Sequence, residues 1–282
     1  MSTIASHRRF YAEFLVRAFG SGEQRLIDAF AAIPREDFVG PGPWQVCVGS
    51  DEYISTGTDD PALLYQDILV GLAPERRINN GQPSLHARSL SEAAPALGER
   101  VLHVGAGTGY YTAILATLVG ATGHVDAFEI ESDLAARATT NLAHLGNVVV
   151  HGASASDGLL RDYDVIYVNA GTTHPPPAWL DALRVGGRMV FPLTPNEGVG
   201  IMLRITRLAA DSYAATAFAR VAFVPCIGAR NEVAAVSLAA ALERGSNTDV
   251  RSLRREEPPD HTAWCVGDGW WLSCSEPRRR ET

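Results

Sequence analysis

The stretch that decides the fold is Val101 to Ala113, VLHVGAGTGYYTA. Val101-Leu102-His103-Val104 reads as a short buried strand that runs straight into Gly105-Ala106-Gly107-Thr108-Gly109, and Tyr110 to Val119 continues as a helix. Glycines at such a junction let the chain turn sharply and let a ligand approach the backbone with no Cβ in the way. A dinucleotide fingerprint needs G-x-G-x-x-G, and Tyr110 occupies the place of its third glycine. The pyrophosphate of a nicotinamide or flavin cofactor is therefore poorly served. Glu129 follows Gly109 by 20 residues, the separation expected of an acidic residue at the end of the next strand of a βαβ unit.

Outward from this motif, strands and helices alternate. His124 to Ile130 is expected as a strand, Asp133 to Leu145 as a helix, and Asn147 to His151 and Tyr163 to Asn169 as strands. Pro177 to Arg184 follows as a helix, and Arg188 to Leu193 as a fifth strand after a Gly186-Gly187 turn. Apolar strands separated by helical runs imply right-handed βαβ units and a parallel sheet covered on both faces, a doubly wound, Rossmann-like α/β core. Gly200 to Leu208 and Tyr213 to Val224 read as a hairpin that adds an antiparallel edge. On the other side, Phe10 to Phe38 carries apolar residues at helical spacing, with Phe14, Leu15, Ala18 and Phe19 before a break at Gly20-Ser21-Gly22 and Leu26, Ile27, Phe30 and Ile33 after it. Two short helices are expected there. Gly40-Pro41-Gly42-Pro43-Trp44 is irregular, Asp60-Pro61 starts a further turn of helix, and Asn79-Asn80-Gly81-Gln82-Pro83 is a polar loop before a helix from about Ser84 to Ala94.

Three regions result: residues 1–98, N-terminal helices and an acceptor loop packed on the core; residues 99–230, the cofactor-binding core; and residues 231–282, a C-terminal α+β extension. The extension holds a helix near Glu232 to Glu243 and a segment around Trp264, Trp270 and Trp271, which read as packing residues.

Composition prunes the chemistry. The 282 residues are 46% hydrophobic and 20% charged, with 24 basic and 32 acidic side chains, a net charge of -8. Every cation is arginine, so a phosphate loop ending in lysine, a Schiff-base lysine and a lysine general base are all excluded. The acidic balance argues against a nucleic-acid partner, because phosphate-backbone binding needs a concentrated basic face. The 4 cysteines include no C-x-x-C pair, which suggests neither a metal site nor a disulfide framework and fits reduced thiols in the cytoplasm. No apolar stretch reaches membrane-span length, so no membrane partner is expected.

The glycine loop with Glu129 resembles that of S-adenosylmethionine-dependent methyltransferases. More particular segments stand around it: IPREDFVGPGPW at Ile33 to Trp44, INNGQPSLHA at Ile78 to Ala87, VGAGTGYYTAIL at Val104 to Leu115, the Asp157-Gly158 pair, DYDVIYVNAG at Asp162 to Gly171, LRVGGRMVFP at Leu183 to Pro192 and FVPCIG at Phe223 to Gly228. In this order they resemble the protein-L-isoaspartate O-methyltransferases over about residues 8–230. The resemblance implies S-adenosyl-L-methionine as cofactor, with S-adenosyl-L-homocysteine as product, and protein repair: methylation of the free carboxylate of L-isoaspartyl residues in damaged proteins or peptides. It implies cofactor binding by Gly105, Ala106, Gly107, Thr108 and Gly109, by Glu129 at the ribose, by Asp157 and Gly158 at the adenine, by Asn169 at the sheet edge, and by Ile78, Asn79 and His86 in the preceding loop and helix. Asp157 also reads as a solvated turn residue, and His86 equally as a buried helix histidine.

The departure from the family pattern lies in the acceptor loop. Where the family carries a serine whose hydroxyl helps hold the substrate carboxylate, this chain has Gly81. Asn80 and Ser84 side chains and the Gly81 amide are the candidate catalytic donors, with a turn-forming role for Asn80 standing beside that reading. An O-methyltransferase of the same fold for a dedicated peptide or small-molecule acceptor, and a cofactor-binding protein without turnover, remain as alternatives. The oligomeric state is not legible.

Overall fold

The computed structural model describes residues 3–49, 52–156, 162–245 and 247–278. It divides into two compact units, residues 1–99 with 106–153, and residues 100–105 with 154–282.

In the first unit the expected N-terminal helices form as α1 (Ile4–Phe19), capped by Thr3, and α2 (Gln24–Ala32), packed against each other. The break between them is set at Gly20, where an added Cβ would stand 2.6 Å from Ser91 Oγ. On α1 the buried face is Tyr11, Ala12, Leu15 and Val16, while Phe14 and Phe19 remain on the surface. A short helix α3 (Glu36–Val39) follows, and then a small sheet absent from the sequence expectation: β1 (Gln45–Val48), β2 (Glu52–Ser55), β3 (Leu69–Ala73) and β4 (Ile78–Asn79), in the order β2-β1-β3-β4. Its strands have two to five residues, too short for a period to register. Asp60 caps a 3₁₀ turn at Pro61–Leu64, as the Asp-Pro pair predicts. Helix α4 (Pro83–Ala93) follows β4 with proline in its first turn.

Arg35 fixes the path between these pieces. It is fully buried, and its guanidinium donates to the carbonyls of Leu64 and Ile68 at 2.7 Å each and of Gln66 at 3.2 Å. Those carbonyls lie at and just beyond the 3₁₀ turn, where only that of Gln66 also accepts a local amide, from Ile68 at 3.0 Å, so one side chain does much of the work of a sheet neighbour. Tyr65 accepts from the Arg35 amide and donates to Glu36.

Beyond β5 (Arg100–Val104), which belongs to the second unit, come α5 (Tyr110–Val119), β6 (His124–Phe128), α6 (Ser132–Leu142) and β7 (Val148–His151). β6 and β7 pair in parallel, Val125 opposite Val148, and α5 and α6 pack on them. Helix α5 is buried on nearly every residue, the reason its sequence is apolar all round.

The second unit contains β5, β8 (Tyr163–Val168), α7 (Pro177–Ala182), β9 (Leu183–Leu193), β10 (Gly200–Ala209), β11 (Ser212–Val221), α8 (Glu232–Arg244), β12 (Ser252–Arg255), β13 (Ala263–Gly267) and β14 (Trp270–Ser273). β5, β8 and β9 are parallel neighbours, and β10 and β11 form the expected antiparallel hairpin. Gly186-Gly187 is not a turn before a strand: β9 starts at Leu183 and runs through both glycines. Tyr163 pairs with Leu183 and Val165 with Arg188, so the glycines absorb an irregularity in the ladder. Gly186 takes φ +85°, and Gly187 is pressed between the Arg184 and Asp164 carbonyls, which would meet a Cβ at 2.9 and 3.0 Å.

The hairpin is not an edge either, since β11 pairs with β12 through Tyr213 and Leu253, and β12 with β14 and β13 beyond it. The tryptophans are packing residues: Trp264, Trp270 and Trp271 are buried, and Trp264 and Trp271 donate their indole N–H groups to the carbonyls of Gly245 and Glu257. Among the described residues no helix is long and apolar enough to cross a membrane.

Replacing Arg35 by Met keeps the volume of the stem and removes the donors to the Leu64, Gln66 and Ile68 carbonyls, of which only that of Gln66 keeps a local amide. Urea unfolding is expected to show a loss of about 3 to 5 kcal/mol, whereas a loss below about 1 kcal/mol would mean the Leu64–Ile68 segment holds itself.

Candidate active site

The glycine loop of the first unit is braced by Glu129. Gly107 donates its amide to one carboxylate oxygen at 2.7 Å and Glu131 donates to the other at 2.9 Å. The Ala106 amide reaches the Phe128 carbonyl at 3.1 Å, and Asn141 Nδ2 donates to the Thr108 carbonyl at 2.9 Å. Glu129 is 6% exposed, and burial holds its pKa above the ordinary glutamate value against the lowering effect of the Glu131, Gly107 and Ile130 amides. Ionising it therefore costs folding free energy at neutral pH, a cost that further hydrogen-bond donors would offset. Gly109 caps α5 at φ +98°, and a Cβ there would meet Leu142 Cδ1 at 2.7 Å. Gly107 is also left-handed, at φ +56°, and a Cβ there would make an ordinary contact with Leu72 Cδ1 at 3.5 Å.

The acceptor loop lies on the turn from β4 into α4. Asn79 Oδ1 accepts the Gly81 amide at 2.8 Å, so that amide is engaged within the turn. Asn80 is anchored by its own amide to the Val70 carbonyl at 2.8 Å, while its side-chain Nδ2 is buried with no hydrogen-bond partner among the described residues. Asp67, a residue that no motif flags, holds the start of α4: its two oxygens accept the Ser84 amide at 2.8 Å and Gln82 Nε2 at 3.1 Å. Ser84 and His86 are both buried, and the His86 ring stacks on Tyr111 with 3.5 Å between centroids. Ile78 is half-buried beside them in β4. Arg76 ties this hairpin to the end of β6, bridging Asp133 at 2.6 Å and Glu131 at 2.5 Å, and is itself part-exposed.

In the second unit Gly105, φ +76°, abuts Asn169, whose carbonyl would stand 3.3 Å from an added Cβ. The Asn169 amide donates to the Val104 carbonyl at 2.8 Å and its Nδ2 reaches His103 Nε2 at 2.7 Å. His103 is fully buried, and burial pushes its pKa down to about 3, so the ring is neutral and accepts from Asn169. A histidine inside an otherwise apolar strand was the available sequence signal for this pair. Gly171 bonds to Val224 and Cys226, bringing the FVPCIG segment to the end of β8. Asp157 and Gly158 lie outside the described residues.

The family model described as protein-L-isoaspartate(D-aspartate) O-methyltransferase (PCMT) matches residues 16–231. The chain belongs to this family. It is 30% identical over 218 residues to a protein-L-isoaspartate O-methyltransferase of Rhodopseudomonas palustris, covering 76% of this chain and 90% of that one. It is 32% identical over 216 residues to one of Marinobacter nauticus, covering 74% and 87%. A solved protein-L-isoaspartate O-methyltransferase superposes with a TM-score of 0.65 at 25% identity, over 84% of this chain and 68% of that chain. A Plasmodium falciparum beta-aspartate methyltransferase (PCMT), solved in complex with S-adenosyl-L-homocysteine, shares the fold with a TM-score of 0.63 at 18% identity, over 78% of this chain and 98% of that chain.

The fold of this family is the α/β methyltransferase sheet that the VLHVGAGTGYYTA stretch predicts. The family match stops at residue 231, so α8 and β12 to β14 are what this member adds.

Gly109→Ala combines a left-handed backbone with the Leu142 contact, whereas Gly98→Ala has the same backbone class, φ +82°, and nothing nearer than 3.6 Å. Thermal unfolding should place Gly109→Ala about 1 to 3 kcal/mol below Gly98→Ala; equal losses would show that Leu142 gives way freely.

Proposed function

We propose that this chain transfers the methyl group of S-adenosyl-L-methionine to the free carboxylate of L-isoaspartyl residues in proteins and peptides, a protein-repair reaction. The observation that carries the reading is the family match across residues 16–231, joined to a glycine loop whose Gly107 amide is held by a buried Glu129.

The donor set suits the cofactor. A carboxylate has about four acceptor positions, and the Glu131, Gly107 and Ile130 backbone groups on Glu129 leave acceptor capacity for a ribose hydroxyl. Gly107 opens backbone to the methionine portion, and Gly105, Ala106, Thr108 and Gly109 shape the loop. Asn169, oriented by neutral His103, presents its carboxamide at the carboxyl end of β8, the edge where α/β sheets hold ligands. Asp157 and Gly158 are retained for the adenine on the resemblance alone, and Ile78 and Asn79 as the loop beside the cofactor. When bound, S-adenosyl-L-methionine supplies an electrophilic methyl group whose transfer leaves the neutral thioether S-adenosyl-L-homocysteine.

The chain's own task is modest. An acceptor carboxylate is ionised at neutral pH, so no general base is needed. The protein must orient one oxygen and exclude water from the charges being brought together. Asn80, with a buried amide that has no partner among the described residues, and Ser84, at the start of α4, are the donors proposed for that task. An acidic protein binding an anion depends on such local donors, because its net charge of -8 opposes the ligand. The same charge supports a protein or peptide partner over nucleic acid, and four cysteines outside any disulfide among the described residues support a reducing, cytoplasmic compartment.

Purified protein incubated with methyl-labelled cofactor and matched peptides carrying isoaspartate, aspartate or asparagine should place base-labile label on the isoaspartyl peptide only. Equal labelling of the aspartyl peptide, or cofactor binding with no transfer to any of the three, would refute the assignment.

A further inference from the structure

Strand β4 is last in the small sheet's order β2-β1-β3-β4, so one of its long sides has no strand beside it among the described residues. Its register against β3 is antiparallel, with Asn79 opposite Gly71 and Ile78 opposite Ala73. The next residue, Asn80, donates its amide to the Val70 carbonyl at 2.8 Å. In an antiparallel ladder the pair beside such a bond is the non-hydrogen-bonded kind, whose N–H and C=O groups point away from the partner strand. Asn79 therefore presents a main-chain donor and acceptor at the open side of β4, and neither has a partner among the described residues. Its side chain is occupied separately, closing the turn on the Gly81 amide at 2.8 Å. One residue on, Asn80 is 7% exposed and its Nδ2 has no partner among the described residues. An open main-chain edge and a buried, unsatisfied donor stand on consecutive residues, and a native fold keeps such groups where a ligand completes them.

We infer that the isoaspartyl polypeptide docks on β4 as an added strand: one of its extended residues exchanges both main-chain hydrogen bonds with Asn79, while its carboxylate is held by Asn80 Nδ2. This rests on the carboxyl methyl transfer proposed above, and it assigns the Asn79 main chain to the acceptor rather than to the cofactor. The chemistry of the damaged residue suits so short an edge. At an isoaspartyl residue the chain continues through the side-chain carbonyl, which inserts an extra methylene into the backbone and leaves the α-carboxylate as a branch. That methylene breaks the alternation of a strand, so no ladder runs through the damaged site. Antiparallel pairing takes both bonds to a single partner residue, and a single residue is what β4 offers. Main-chain reading also leaves the flanking side chains unread, which lets one enzyme serve damage in many sequences.

The test measures kcat and KM of wild type for an isoaspartyl peptide, for versions N-methylated at each flanking amide in turn, and for versions with single flanking residues changed to alanine. N-methylation of one flanking amide should raise KM roughly five- to ten-fold with kcat within about two-fold, because a docking bond is made equally in ground and transition states. The alanine versions should stay within about two-fold of the parent peptide, since their main chain is intact. On the protein, Asn79→Ala keeps the N–H and loses the turn closure, whereas Asn79→Pro loses both. The proline variant should show a peptide KM roughly three-fold or more above that of the alanine variant, with equal affinity of the two for S-adenosyl-L-homocysteine by calorimetry. An N-methyl series with no sensitive amide, alanine effects larger than those of N-methylation, or a proline variant that loses product affinity instead of peptide affinity would overturn the inference. The peptide series decides alone if the proline variant does not fold. Wild-type protein inactive on the parent peptide would instead remove the function on which the inference rests.

Discussion

The hydrogen bond from the Gly107 amide to Glu129 is the constraint on which the rest of the first unit's site depends. A loop with three glycines in five residues has only the Ala106 and Thr108 side chains to pack, and a buried carboxylate is costly without donors. Each solves the other's problem. The loop gains a fixed acceptor, and the carboxylate gains backbone amides that offset part of its desolvation. What remains unsatisfied is acceptor capacity pointed at whatever carries hydroxyls. A second brace, Arg76 to Glu131 and Asp133, links the acceptor hairpin to the strand end that bears Glu129. It is solvent-screened and contributes more to arrangement than to stability.

The acceptor side is built by exclusion. Arg35 pins the irregular Leu64–Ile68 segment, Asp67 on that segment holds the N-terminus of α4, and α4 carries His86 against Gly81. The chain of contacts explains how the IPREDF segment, remote in sequence from the turn at Ile78 to Ser84, bears on its geometry.

Much of this was legible in the sequence, for physical reasons. Helix α5 fell where Tyr110 to Val119 placed it, because a glycine stands at each end and every residue between is compatible with burial. The β10–β11 hairpin announced itself by long apolar runs. The small β1–β4 sheet did not, since its strands are too short to show alternation. The ladder irregularity at Gly186-Gly187 read as a turn because glycine pairs signal both, and only the pairing of Val165 with Arg188 separates them. At the site, the alternating glycines and Glu129 carried the cofactor reading, while the acceptor turn was legible only as residue types. That Gly81 spends its amide on Asn79, and that His86 occupies its missing side chain's volume, are facts of a turn meeting a helix that no spacing rule encodes.

The central claim is that Glu129 braces the loop and accepts the cofactor's hydroxyls as a carboxylate. Titration of S-adenosyl-L-homocysteine into wild type and Glu129→Gln, in buffers of different ionisation enthalpy, tests it directly. The account predicts that wild-type affinity falls as pH drops through the raised Glu129 pKa, with proton release on binding in that range. It also predicts that Glu129→Gln binds roughly 10- to 100-fold more weakly without that proton release, since one charge-assisted acceptor is worth about 1.5 to 3 kcal/mol. Equal affinity of the two proteins, with the same proton uptake or release, would contradict it.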